Sequence, residues 1–412
     1  MSKLFSIAIQ SILKQKLRAI LTILAVSIGI AAVIMVFSAG HGLRGFISSE
    51  IETFGTDLLQ IEIKVPNVGK TSSENATGIA QGVSITTFKN EDTDAIRKHP
   101  NISHAYGAVI AQKPVSYGDE LRKNMLMGTG FEADIVSNFS FLYGRFYTED
   151  EEKSLSQVVV LGYKVWKDLF IDENPVGKKI KIDGKKFRII GVMEEKGSAF
   201  FFDMDSILYI PLRTIQEKLL GTDYISYTSA KMIDVKKGKQ TQEDVNIIMR
   251  EQHDITDPNK DDFAVSTMEE AEDMLGTIID SITMLLIALV GISLLVGGVG
   301  IMNIMYVSVA ERTFEIGLRK SVGATHKSIL SQFLIEAMLI TLAGGIVGII
   351  LGAILSYIVA LVAAAFNFAW EFYIPFSSII VSVGFSVVVG LLFGLYPARQ
   401  AAKLDPIEAL RK

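Results

Sequence analysis

Four long apolar runs constrain this chain more than any other feature, because no water-soluble fold hides them economically. The hydrocarbon core of a bilayer is about 30 Å thick, so a helix crosses it with roughly 20 apolar residues. Residues 19–40 and 377–396 contain no charged side chain, residues 277–307 contain only Asp280, and residues 328–365 contain only Glu336. Each run reads as a transmembrane helix, since backbone polar groups in lipid must be satisfied within the segment. Residues 41–276 lie between the first and second runs and are polar enough for a large aqueous domain.

Lys and Arg near the span ends set the orientation. Lys3, Lys14, Lys16 and Arg18 precede span one, Arg312, Arg319, Lys320 and Lys327 separate spans two and three, and Arg399, Lys403, Arg411 and Lys412 follow span four. The opposite flanks offer only Arg44 and Lys260, and the loop 366–376 has no positive charge. Both termini are therefore expected in the cytoplasm and residues 41–276 outside. The first run exceeds the 7–15 apolar residues of a cleaved signal peptide. Ahead of it, Phe5, Ala8, Ile9 and Ile12 share one helical face and Lys3, Ser6, Gln10 and Lys14 another, which predicts an interfacial helix over residues 1–18 in contact with membrane lipid.

The outer domain is expected to be α+β. Residues 58–65 and 103–111 read as strands flanking a helix over 88–99 that Pro100 stops, with a polar loop over 66–82. Residues 224–235, 241–253 and 263–265 repeat the order, with Thr241 and Asp244 at capping-box spacing. Two β-α-β units predict a split ferredoxin-like, porter-type module, residues 55–112 and 222–266, around a mostly-β insertion, residues 113–221. The insertion's clearest signal is a hairpin over 179–192 turning at Asp183-Gly184, with a short helix near 214–219. Ser266 and Glu269 look like a capping box that starts a helix running straight into span two, a stiff stalk.

Enzymatic chemistry finds little purchase. With no cysteine there is no disulfide, thiolate metal site or Cys nucleophile, and His41, His99, His104, His253 and His326 lack metal-ligand spacing. Val68-Gly69-Lys70-Thr71 resembles the end of a phosphate-binding loop, but Lys64 stands where the first glycine belongs. Asp203 and Asp205 after Phe200-Phe201-Phe202 read either as a partner-binding tip or as a strand entering the core with a polar turn. The net charge of −5 gives no reason to expect nucleic acid. The chain is expected not to be an enzyme by itself and to carry no cofactor or metal.

The spans are rich in glycine. Gly344, Gly348 and Gly352 in span three, Gly390 and Gly394 in span four, and Gly297, Gly298 and Gly300 in span two suit close helix packing. In the loop 308–327, Glu311, Arg312, Glu315, Arg319 and Lys320 alternate with Phe314, Ile316 and Leu318 and end near Gly323. A short helix with apolar anchors and charges of both signs can dock into a groove on a soluble partner. Glu336, inside a span near its cytoplasmic end, reads first as a structural charge meeting a neighbouring helix.

The stretch GGVGIMNIMYVSVAERTFEIGLRKSVGATHKSILSQFLIEA resembles the signature region of MacB/FtsX-type ABC transporter permeases, and GLLFGLYPARQAAKLDPIEALRK matches their carboxyl end. The start KQKLRAILTILAVSIGIAAVI and the following FGTDLLQI are similar too. The resemblance implies a dimer, homomeric or heteromeric, whose protomers each bind a cytoplasmic ABC ATPase through the helix carrying Glu311, Arg312, Phe314, Glu315, Ile316, Arg319, Lys320 and Gly323. ATP and Mg would sit on that ATPase, expected on a separate polypeptide because this chain begins with its membrane helix. It further implies mechanotransmission through stalks and outer domains in a bacterial plasma membrane, with efflux of drugs, peptides or lipoprotein-like substrates through a membrane-fusion adaptor. The alternatives are a division-type signalling scaffold that activates cell-wall hydrolases and a lipoprotein-releasing permease.

Overall fold

The computed structural model describes residues 16–67, 85–118, 120–199, 202–366, 368 and 370–411. The expected interfacial helix up to residue 15, the Val68-Gly69-Lys70-Thr71 segment, and Phe200 and Phe201 lie outside them. Contacts divide the chain into two compact units, Glu50–Met274 and, from both ends of the sequence, Met1–Ser49 with Leu275–Lys412.

The strands of the first unit are β1 (Leu58–Ile63), β2 (Ile102–Tyr117), β3 (Glu120–Thr129), β4 (Phe141–Gly144), β5 (Val158–Leu161) and β6 (Lys179–Ile182). They continue as β7 (Lys185–Met193), β8 (Ser198–Ala199), β9 (Phe202–Asp203), β10 (Ile207–Pro211), β11 (Tyr227–Met232) and β12 (Phe263–Thr267). Four of them pair in the order β12-β1-β11-β2, each antiparallel to its neighbour. Helix Asn90–Arg97 joins β1 to the strand two places away, and helix Gly238–Gln252 joins β11 to β12. This is the split βαβ order, so the two distant halves read from the sequence form one module. Leu59 and Ile61 of β1 pack with Ile96, Val245, Met249, Phe263 and Val265 in one core. Burial of each such side chain contributes about 1.5–3 kcal/mol. A polar clamp crosses the same elements: His253 lies 2.7 Å through Nδ1 from Asp262 and 3.2 Å through Nε2 from Asp92. Burial alone would lower the imidazole pKa, but the two carboxylates outweigh it and raise the value to about 9.

The insertion is less separate than expected. Rather than ending at residue 111, β2 pairs with β11 over its first half and continues to Tyr117 beside β3, so one strand serves both parts. Its far end also pairs with β6. The strands β2-β3-β10-β5-β7-β6 thereby close into a ring. Val115, Leu126, Val159, Leu161, Ile182, Phe187 and Ile189, all fully buried, fill it. The hairpin between β6 and β7 turns at Asp183 and Gly184 with φ of 49° and 78°, as a type I′ turn requires. Asp205 is buried and accepts the backbone N–H groups of Lys196 and Gly197, each at 2.9 Å, which is the polar-turn role.

Two expected caps move. Helix Gly238–Gln252 starts three residues before Thr241, whose buried hydroxyl bonds Lys237 O and Asn101 instead of opening the helix. The cap of helix Met268–Glu311 is Thr267, which accepts the Glu270 N–H at 3.1 Å, one residue later than Ser266 and Glu269. β12 decides this by extending through Thr267.

Helices Lys16–Phe54 and Met268–Glu311, most of whose lengths fall in the second unit, and His326–Ala365 and Phe376–Lys403, wholly in it, are long and apolar enough to cross a membrane. Asp280 is paired with Arg44 at 2.5 Å. The helix that holds the fourth expected span continues beyond residue 396 through Pro397 to Lys403, and a last helix, Pro406–Arg411, lies in the expected tail. Three glycines seat the third helix on the first: a Cβ on Gly344 would fall 2.8 Å from Val26 Cβ, on Gly348 2.7 Å from Ile30 Cβ, and on Gly352 2.7 Å from Ile34 Cβ. Gly390 and Gly394 do the same between the third and fourth helices, against Thr341 at 2.5 Å and Ala337 at 2.6 Å. Among the span-two glycines only Gly298 is tight, against the Phe393 ring. Gly297 makes an ordinary 3.8 Å contact with Ala25 O, and Gly300 has nothing within 4 Å inside the protomer.

Candidate functional site

The loop between the second and third spans is a helix, Thr313–Ser321, and its side chains divide sharply by direction. Arg312 sits at its start. One guanidinium nitrogen donates to Glu336 at 3.1 Å, Nε donates to Glu315 at 3.2 Å, and the group lies 5.4 Å from the Phe333 ring centroid. Glu336, in the third helix, is 4% exposed, and a carboxylate there is tolerable only with its counter-charge. Arg319 donates to Glu315 at 2.7 Å and to Gln332 of the third helix at 2.6 Å. Lys320 Nζ donates to Ala402 O at 2.8 Å and Leu404 O at 2.5 Å, satisfying carbonyls that the end of the fourth helix leaves open.

The apolar side chains split as well. Ile316 is buried, and a Cβ on Gly317 would lie 2.7 Å from Ala409 Cβ, so the last helix of the chain lies flush against this one. Phe314, Leu318 and Val322 point the other way at 57%, 51% and 83% exposure, spaced four residues apart on one helical face. Ile407 of the last helix is 78% exposed. Gly323 closes the helix with φ of 98°, a left-handed conformation that glycine adopts without penalty.

The charges nominated from the sequence thus include several that bind within the chain. Arg312, Glu315, Arg319 and Lys320 hold the helix to the third span and the fourth span's end, and Glu311 also has a partner. Of the nominated apolar residues, Phe314 is outward and Ile316 inward. Sequence reasoning missed Val322 and Ile407 as surface and Gln332 and Ala409 as supports. The four-residue spacing of Phe314, Leu318 and Val322 was a usable signal, whereas the supports lie too far along the chain to be paired by spacing. Among the described residues no group of three or more His, Asp or Glu side chains could hold a metal ion.

The family model for the MacB-like periplasmic core domain matches residues 19–248, and that for the FtsX-like permease C-terminal region matches residues 287–406. The chain belongs to the MacB-like, FtsX-type permease family. The macrolide export ATP-binding/permease protein MacB of Bdellovibrio bacteriovorus is 33% identical over 98% of this chain and 60% of its own length. The protein of that name from Chlorobium luteolum is 36% identical over 98% of this chain and 59% of its own length. The chain therefore spans about three-fifths of these relatives. The crystal structure of the periplasmic region of MacB from Actinobacillus actinomycetemcomitans aligns at 23% identity and a TM-score of 0.46, covering 55% of this chain and 95% of that one.

Proposed function

We propose that this MacB-like chain is the permease of an ABC-type machine in a bacterial plasma membrane, with both termini cytoplasmic and the sheet-rich unit outside. The helix Thr313–Ser321 is the coupling helix, and the outward row of Phe314, Leu318, Val322 and Ile407 carries this reading. An apolar row on a helix whose charges are engaged inward fits a groove on a cytoplasmic ABC ATPase, which would hold ATP and Mg. The loop's positive charges favour the cytoplasmic side. Two permease protomers work as a dimer, and ATP-driven movement of the coupling helix passes through the stalks to the outer unit. The work done is export of drugs, peptides or lipoprotein-like substrates, through a membrane-fusion adaptor.

The test is Phe314→Asp with Leu318→Asp, two side chains more than half exposed in the permease. The variant should melt like the native protein, bind the ATPase about 30-fold more weakly or worse, as the loss of a 2 kcal/mol anchor requires, and lose coupled hydrolysis. Undiminished coupling would refute the reading. Proteins recovered with the native complex separate the branches: an adaptor supports export, and a cell-wall hydrolase supports signalling.

A further inference from the structure

On the sheet face turned away from helices Asn90–Arg97 and Gly238–Gln252, a cavity of about 380 Å³ opens beside β1, β3 and β11. Met125, Met127, Met204 and Met268 line it together with Phe139 and Tyr227. Unbranched thioether side chains adapt to irregular apolar bodies, and aromatic rings give them flat walls. The polar groups of the cavity are unbalanced. Gln60 Oε1 is buried without a hydrogen-bond partner. Glu62, two residues along β1 and so on the same face of the strand, stands exposed at the mouth of the cavity and has no hydrogen bond or ion pair among the described residues; partial desolvation by the surrounding walls still raises its carboxyl pKa. The cavity's cation, Lys196, is engaged: it donates to Ser137 O at 3.3 Å and lies 4.9 Å from the Phe139 ring centroid.

A buried acceptor without a donor, Gln60 Oε1, and an exposed carboxylate without a counter-charge among the described residues, Glu62, therefore stand together at the mouth of a methionine-lined hollow. A neutral apolar guest leaves both unmet, an anion meets the charge of Glu62, and a quaternary cation has no N–H to give. We propose that this cavity binds an amphipathic amine in its protonated form, with the apolar body among the methionines and the ammonium N–H groups on Glu62 and Gln60. The site lies wholly within Glu50–Met274 and binds at equilibrium, so it stands or falls separately from coupling to an ATPase.

The probe is dansylcadaverine, a primary amine on an apolar fluorophore, titrated against the full-length chain in lipid nanodiscs, with its N-acetyl derivative as the uncharged control and empty nanodiscs as background. The native chain should bind the amine about tenfold or more tightly than the acetylated form, the worth of one charge-assisted hydrogen bond. Glu62→Gln should erase that difference by weakening only the amine, and Met127→Trp, which fills the cavity, should weaken both probes. Equal binding of the two probes to the native chain, or amine binding unchanged in Glu62→Gln, overturns the proposal, as does signal no greater than that of empty nanodiscs.

Discussion

Breaking the Arg312–Glu336 pair should unseat the helix Thr313–Ser321, and the cost follows from where the two charges lie. Their side chains are 15% and 5% exposed, at 3.1 Å, so neither charge has much water to fall back on. Removing one member of a buried pair leaves the other uncompensated, at about 3–5 kcal/mol. Arg312→Met takes away the counter-charge 3.1 Å from Glu336 and should cost about that much, whereas Glu336→Gln keeps a hydrogen-bond acceptor and should cost about 1–2 kcal/mol. Arg312 retains Glu315 at 3.2 Å in the second variant, which is why the two changes are unequal. Glu336→Leu, measured alone and combined with Arg312→Met, closes a double-mutant cycle, and the combined variant removes both charges and should recover most of the loss. Thermal unfolding in detergent reads the result, with Arg312→Met lowering the midpoint by roughly 10 °C. The cycle should return a coupling energy of about 2 kcal/mol or more. A cycle additive to within about 0.5 kcal/mol would show that the pair contributes no mutual stabilisation, and the account of how this helix is held would then be wrong.

Two further outcomes follow from packing and from charge. Gly348→Leu must push against Ile30 Cβ and Ser27 O, both 2.7 Å from the new Cβ, and should cost about 1–3 kcal/mol of thermal stability, whereas Gly300→Ala, with nothing within 4 Å, should leave the isolated protomer's melting unchanged. His253 titrates near 9 in the fold against about 6.5 unfolded, so its clamp stabilises fully below pH 6.5 and is lost as pH rises through 9. The native chain should lose on the order of 2–3 kcal/mol across that window and His253→Gln should lose much less, as equilibrium urea unfolding at stepped pH would measure, with parallel pH profiles counting against the clamp.

What could be read from the sequence was what short range decides. The spans follow from apolar runs holding at most one charge each, and the β6–β7 hairpin from Asp183-Gly184, because a two-residue type I′ turn has few other solutions. The split module was legible because each half carries its own β-α-β order. The ring was not: its closure depends on Val115 of β2 meeting Ile182 of β6, a long-range register that no local pattern announces. The misplaced cap has a similar cause, since Ser266 and Glu269 satisfy the motif equally well, and only the pairing of β12 with β1 through Leu59 and Thr267 keeps Ser266 in the strand. At the candidate site the sequence disclosed which residue types were present but not their direction. Arg319 and Lys320 are neighbours, yet one reaches Gln332 and the other the carbonyls of Ala402 and Leu404.

That inward use of charge bears on how force would travel. A surface loop held only by its two ends absorbs displacement through its own torsions. This helix is held along its length, by Arg312 at its start, Arg319 and Lys320 near its end, and Gly317 against Ala409 between them. Its link onward is short as well: after Gly323, Thr325 already caps the third helix by accepting the Ser328 N–H at 3.2 Å. Little backbone is left to take up slack, so a push on Phe314 and Leu318 would have to move the third and fourth spans or break buried polar contacts costing several kcal/mol. The same geometry separates two kinds of variant. Changes at Phe314 and Leu318 should weaken binding of the proposed ATPase about 30-fold or more while the permease stays folded. Changes at Arg312 or Glu336 should weaken the permease itself, with partner binding failing only as a consequence.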